Sequence, residues 1–332
     1  LLLVGAGAYT GNNKEVGMSR IDTRHPEREG KAPRRLPLWP LLAFLTLGPP
    51  AALAQTYTTI DCPGSSFTEA RNINDRGDIV GDCDDSNGSH GFLLRHGAFT
   101  MIDVPGSTLT TAFGTNNRGD VVGRYTDADD VVHGYLLRHG HFSTIDPPGI
   151  IPGPEAHPRT AAVGIDDLGR IVGFYDGTDG VHHGYVFDSG VFRDVDFPGA
   201  FATGAQDIND LERISGGYLE ANGVSHGFLF AKGVFTSFDF PGAAGTRAQG
   251  INILGHIVGG WSDDPDCSTC STHAFLLTPH GFEDLEFPGA LETLAYGIND
   301  LGQIVGSYFG EDEVLHGYVR DLDRNVKDDA ND

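Results

Sequence analysis

Along residues 57–320, short runs of Val, Ile, Phe and Tyr are separated by Gly-, Asn- and Asp-rich turns. No segment carries the 3.6-residue apolar period of an amphipathic helix. The runs recur as a unit. One copy spans Ala295 to Tyr318: a Gly-Ile-Asn-Asp-x-Gly turn, an Ile-Val-Gly-x-Tyr strand, an acidic loop, then His316-Gly-Tyr. Pro-Gly marks six copies, at Pro63, Pro105, Pro148, Pro198, Pro241 and Pro288, with spacings of 42 to 50 residues. Each copy predicts four strands. The first, as in Thr246 to Asn252, is built from small residues. The second is Ile-Val-Gly-x-Tyr. The third, His-Gly-Phe/Tyr-Leu, is continuously apolar, as expected when both faces are covered. The fourth is Phe-x-x-Ile-Asp. In the Asn-Asp-x-Gly turn, Asn and Asp bond nearby backbone and Gly supplies a positive φ. Glu212 occupies that Gly position in the fourth copy, which predicts local strain.

Units of this length with several short strands indicate propeller blades. The 47 glycines in 332 residues, about twice the usual ~7%, argue against helical repeats. The expected fold is all-β, a six-bladed β-propeller of four-stranded blades. Tyr57 to Asp61 reads as a fourth strand with no unit before it, and His316 to Arg320 as a third strand with no fourth after it. This predicts closure by N-terminal strand exchange with the last blade, which removes an open sheet edge.

The units resemble the HAF repeat of bacterial extracellular proteins, named for a His-Ala-Phe signature. It stands here as His273-Ala274-Phe275 and as His-Gly-Phe or His-Gly-Tyr elsewhere, and the resemblance covers residues 57 to 320. It implies a secreted location and little about chemistry.

The first 54 residues agree with export. Lys31, Arg34 and Arg35 precede the mostly apolar stretch Leu36 to Leu47, and Ala52-Leu53-Ala54 fits small-x-small cleavage before Gln55. That stretch is shorter than the roughly 20 residues a bilayer span needs. The expected organisation is an upstream segment and signal peptide at 1–54, a repeat domain at 55–320 and a polar, disordered tail at 321–332. Formal charge is −24, and residues 55–332 carry −27, because seven Lys/Arg and four Asp/Glu precede them. Such a surface disfavours nucleic acid and anionic membranes. It suits a secreted, soluble monomer that meets an extracellular glycan or protein.

Six register histidines, His90, His133, His183, His226, His273 and His316, open the third strands. A residue present in every unit serves blade packing, here by bonding the acid of the Ile-Asp-x-Pro-Gly strand or a backbone carbonyl. Tyr125, Tyr175, Tyr218, Trp261 and Tyr308 close the second strands, as blade core or as stacking platforms for sugars. The two insertions, Ile150 to Pro158 and Asp263 to Thr272, and the acidic loops fall on one expected face. Variable loops on a rigid scaffold are where ligands bind, so Asp263 and Asp264 join the aromatic residues as candidate ligand contacts.

Asp82 to Gly88 only partly matches a calcium loop, lacking its Gly spacing and terminal Glu, so calcium is a minor expectation and no other cofactor is expected. Cys62 and Cys83 replace apolar residues of the later units, which predicts a disulfide if those positions touch; Cys267 and Cys270 are left to pair with each other. No catalytic motif is present and no catalytic residue stands out. A binding or scaffold protein is therefore expected ahead of the alternative, a polysaccharide hydrolase or lyase.

Overall fold

The computed structural model describes residues 56–86, 88–148, 160–263 and 272–321. They form 24 strands and, among the described residues, no helix. Strand β1 is Tyr57–Ile60. Unit one holds β2 (Phe67–Ile73), β3 (Ile79–Asp85), β4 (Gly88–Arg95) and β5 (Ala98–Ile102). Unit two holds β6 (Leu109–Thr115), β7 (Val121–Thr126), β8 (Val132–Arg138) and β9 (His141–Ile145). Unit three holds β10 (Thr160–Ile165), β11 (Ile171–Asp176), β12 (His182–Asp188) and β13 (Val191–Asp194). Unit four holds β14 (Ala202–Ile208), β15 (Ile214–Leu219), β16 (Ser225–Ala231) and β17 (Val234–Phe238). Unit five holds β18 (Gly245–Ile251), β19 (Ile257–Ser262), β20 (Thr272–Thr278) and β21 (Gly281–Leu285). Unit six holds β22 (Glu292–Ile298), β23 (Gln303–Phe309) and β24 (Leu315–Asp321).

Within each unit consecutive strands pair antiparallel. Strand β1 pairs antiparallel with β24, with Tyr57 opposite Arg320 and Ile60 opposite Gly317.

The repeat signature has a steric cause. The Gly of Ile-Val-Gly pairs with the aromatic residue of His-Gly-Phe/Tyr, as Gly81 with Phe92 and Gly306 with Tyr318. A Cβ on Gly81 would lie 1.9 Å from the Glu69 carbonyl and 2.7 Å from the Phe92 ring. The aromatic ring crosses the second strand where no side chain stands, so the two motifs require each other.

The apolar clusters lie between units. Val80 and Ile102 of unit one pack with Ala112, Val121 and Tyr135 of unit two. Val305 of unit six packs with Ile60, Cys62 and Ala70.

Hydrogen bonds between the turns run in cyclic order. The Asn74 side-chain amide donates to the Asn116 carbonyl, Asn116 to Asp166, Asn209 to Asn252, Asn252 to Asn299, and Asn299 back to Asn74. Asp166 cannot donate, and Arg170 of the same unit bonds the Asp210 carbonyl instead at 3.1 Å.

Cys62 and Cys83 are disulfide-bonded, with Cα atoms 6.4 Å apart. At the same pair of positions Phe197 stacks on Tyr218 at 3.7 Å, Phe240 on Trp261 at 4.5 Å and Phe287 on Tyr308 at 3.6 Å. The bond therefore replaces an aromatic stack at the junction that joins β1 to unit one. Cys267 and Cys270 lie outside the described residues. Glu212 adopts φ 58°, in the left-handed region expected for that turn position.

Candidate functional site

Each first strand contains a register shift near its middle, between Ala70/Asn72, Ala112/Gly114, Ala162/Gly164, Ala205/Asp207, Ala248/Ile251 and Ala295/Gly297. A bulge leaves a residue unpaired and re-aims its side chain. The residues at the shifts are Arg71, Phe113, Val163, Gln206, Gln249 and Tyr296, and all six line one cavity of about 220 Å³. One comes from each unit, so the cavity lies where the six first strands converge.

Of the six bulge residues only Gln206 and Gln249 are alike. The Arg71 guanidinium lies 4.7 Å from the Tyr296 ring centre and 5.4 Å from that of Phe113. Arg71 also donates to Asp82 at 2.9 Å and pairs with Glu69. Tyr296 donates its hydroxyl to Glu69 at 2.9 Å. Burial raises the Glu69 carboxyl above its ordinary value, outweighing the neighbouring Arg71. Asp207, buried on the same wall, accepts from the Ile208 and Ile251 amides, and burial pushes it up to about 7.

Two further cavities adjoin this one at unit junctions. One, of about 250 Å³, lies between units four and five; the other, of about 220 Å³, lies between units five and six. Gln249 lines all three cavities and Arg247 lines both junction clefts. Their cause is a missing side chain. The position after Ile-Val-Gly is Asp82, Arg124 and Phe174 in units one to three, but Gly217 and Gly260 in units four and five. Tyr218, Leu219, Ser225, Trp261, Ser262 and Thr272 also line them. They therefore open where second strands end and third strands begin, the end the sequence assigns to the variable loops. Asp263 is exposed there, directly after β19. Asp264 and residues 150–158 lie outside the described residues.

The aromatic residues closing the second strands are engaged inside their units. Tyr218 stacks against Phe197 and His226, Trp261 against Phe240 and His273, and Tyr308 against Phe287 and His316. Tyr125 and Tyr175 stack on His133 and His183. Their polar tips are satisfied too: Tyr125 by Thr144, Tyr175 by Asp194, Tyr218 by Ser237, Tyr308 by Thr59 and Trp261 by Asp284.

Each register histidine meets the acid of a fourth strand. His90 lies 2.8 Å from Asp103, His133 2.7 Å from Asp146 and His183 2.8 Å from Asp196. His226 and His273 lie 2.8 Å from Asp239 and Glu286, and His316 lies 2.9 Å from Asp61. The Asp103 hydrogen bond raises His90 above the ordinary imidazole value. For His183 and His316 burial is the largest single influence and works the other way, but in each case two acidic neighbours together outweigh it and the net shift is upward.

At the opposite end of the axis a small cavity is lined by Asp75, Asp167, Asp210 and Asp300. Each of these carboxylates accepts a backbone amide from the unit before: Asp167 from Asn117, Asp210 from Asp167, Asp300 from Ile253 and Asp75 from Asp300. Among the described residues no group of three or more His, Cys, Asp or Glu is arranged to hold a metal ion. In the segment weighed for calcium, Asp82 engages Arg71, Cys83 is in the disulfide and Asp84 bonds Ser89; Asn87 lies outside the described residues.

The sequence reading missed the bulge residues and Arg247. They vary between units, and repeat alignment weights what recurs. The signal lay in the reverse question, which first-strand position changes chemistry most from copy to copy.

No family model matches the chain, and no curated protein does. Among solved structures, a putative TolB from Agrobacterium tumefaciens matches with TM-score 0.53 and 15% identity over 77% of this chain and 91% of that one. AofleA from Arthrobotrys oligospora matches with TM-score 0.50 and 13% identity over 80% and 86%. A six-bladed β-propeller lectin from Aleuria aurantia with a fucose recognition mode matches at TM-score 0.47 and 12% identity, over 79% and 93%. These likenesses bear on the fold alone, and the described residues are all-β.

Proposed function

We propose that the chain is a secreted, monomeric six-bladed β-propeller of HAF-type repeats that binds a saccharide. In this reading β1 completes the sixth blade. The carrying observation is the pair of junction clefts made by Gly217 and Gly260. They adjoin an axial cavity walled by side chains that no two neighbouring units share in charge and shape, apart from Gln206 and Gln249. Sugar hydroxyls need side-chain amides and hydroxyls beside apolar surface, and Gln206, Gln249, Ser225, Ser262 and Tyr296 supply them next to Leu294 and Trp261. The buried disulfide fits an oxidising compartment. Binding is favoured over catalysis because the carboxylates at and near the axial cavity are engaged: Asp207 accepts two backbone amides, and Glu69 and Asp82 are taken up by Arg71.

A glycan array probed with the purified chain tests this reading, together with Gly217→Phe. Phe174 already occupies the equivalent position in unit three, so the substitution should be tolerated while filling the first cleft. Binding lost at an unchanged melting temperature is the expected result. An array without signal would sink the saccharide reading.

A further inference from the structure

The two clefts flanking unit five differ from the rest of the molecule in charge. The chain has 46 Asp and Glu against 22 Lys and Arg. The small axial cavity is lined by six aspartates, the larger axial one by Asp207, and a groove between units one and two by Asp103 and Asp120. Among the described residues neither junction cleft has an acidic residue in its lining, and both share one cation, Arg247.

Arg247 is singular in the repeat. Its position is Glu69, Thr111, Ala161, Gly204 and Leu294 in the other units. It is exposed on β18, and among the described residues it has no hydrogen bond or ion pair. Gly217 keeps the space beside it open: a Cβ there would lie 3.9 Å from the Arg247 side chain and meet nothing closer than 3.5 Å. A guanidinium presents a planar fork of donors matched to a carboxylate. Side-chain amides from Gln206 and Gln249 stand on the same walls, with the Ser225 hydroxyl between the two clefts.

We infer that Arg247 receives the carboxylate of an acidic sugar residue, with the sugar ring in an adjoining cleft. This rests on the saccharide reading above and names its ligand class. The charge distribution also sets an upper limit on the ligand. One cation within a surface of strong negative charge accepts one carboxylate on an otherwise neutral glycan and repels a polyanionic polymer.

The test uses the full chain on an array of glycans in matched pairs, ending in a carboxylated sugar or its neutral counterpart. It is followed by titration with methyl glycosides of glucuronic acid and N-acetylneuraminic acid against methyl glucoside and methyl galactoside. Carboxylated termini should bind at least tenfold tighter. Arg247→Gln should erase that preference at an unchanged melting temperature, and raised salt should likewise erase the preference. Equal binding of the pairs, or a preference that survives Arg247→Gln, overturns the inference and leaves saccharide binding standing. Absence of binding to every saccharide overturns both.

Discussion

His316 and Asp61 are 255 residues apart in sequence and 2.9 Å apart in space. The same histidine–acid pair occurs inside units one to five, where the partners are always 13 residues apart. The sixth pair joins the segment after β1 to β24, the geometry expected if the N-terminal strand completes unit six. Deleting residues 55–62 removes β1, Asp61 and Cys62 together. The melting temperature of the whole domain should fall in a single cooperative transition. A local loss with an unchanged main transition would contradict closure by β1.

The histidine pairs also set a pH dependence. His90, His183 and His316 are raised above the ordinary value of 6.5, so their charged forms are favoured in the fold. That contribution is complete below 6.5 and is lost as pH rises through their folded values. Urea unfolding between pH 6 and 8.5 should show stability declining with pH, and Asp61→Asn should flatten part of the slope. Stability that climbs over this interval would refute the assignment.

Reducing the Cys62–Cys83 bond, which closes a separation of 21 residues, should cost about 3 kcal/mol in the chain-entropy model. The double substitution Cys62→Phe, Cys83→Tyr reinstates the pair seen at Phe197 and Tyr218. It should recover part of that loss relative to the double serine variant. Equal midpoints for the two variants would show that the aromatic stack cannot be transplanted to this junction.

Glu212 presents two opposed terms. Its φ of 58° costs about 1 kcal/mol relative to Gly. Its carboxylate also pairs with Arg170 of the preceding unit, and an exposed pair of this kind contributes up to about 1 kcal/mol. Glu212→Gly should therefore change stability little in the parent. It should stabilise by about 1 kcal/mol in an Arg170→Gln background, read from denaturant midpoints. An identical effect in both backgrounds would remove the ion pair from the balance.

Tyr308 stacks on Phe287 and His316 and bonds Thr59 of β1, away from the three cavities. Tyr308→Ala should destabilise by about 3 kcal/mol and leave saccharide affinity unaltered. Lost affinity at full stability would restore the stacking-platform role for this ladder of rings.

The recurring features were legible in the sequence because each is a local rule written six times. The turn at Asn74 and the histidine–acid pair follow from spacing, whereas the Gly81–Phe92 crossing emerged only from the strand register. The Cys62–Cys83 contact was legible because two apolar positions changed together. The cavity walls were not. Arg71 and Gln249 reach a shared space only because a bulge turns each first strand, and Arg247 borders a cleft only because Gly217 of the neighbouring unit leaves it open. Neither fact resides in any one copy of the repeat.

The side-chain amides of Asn74, Asn116, Asn209, Asn252 and Asn299 all donate in the same sense around the turns, each to a carbonyl of the next unit. Such a ring has a sense of rotation, and its members are exchangeable so long as each can both give and receive. Unit three can receive at Asp166 but gives only through Arg170. Were units duplicated, deleted or traded between homologous genes, these two residues would have to be inherited as a pair. The other five units need to carry forward only a single asparagine.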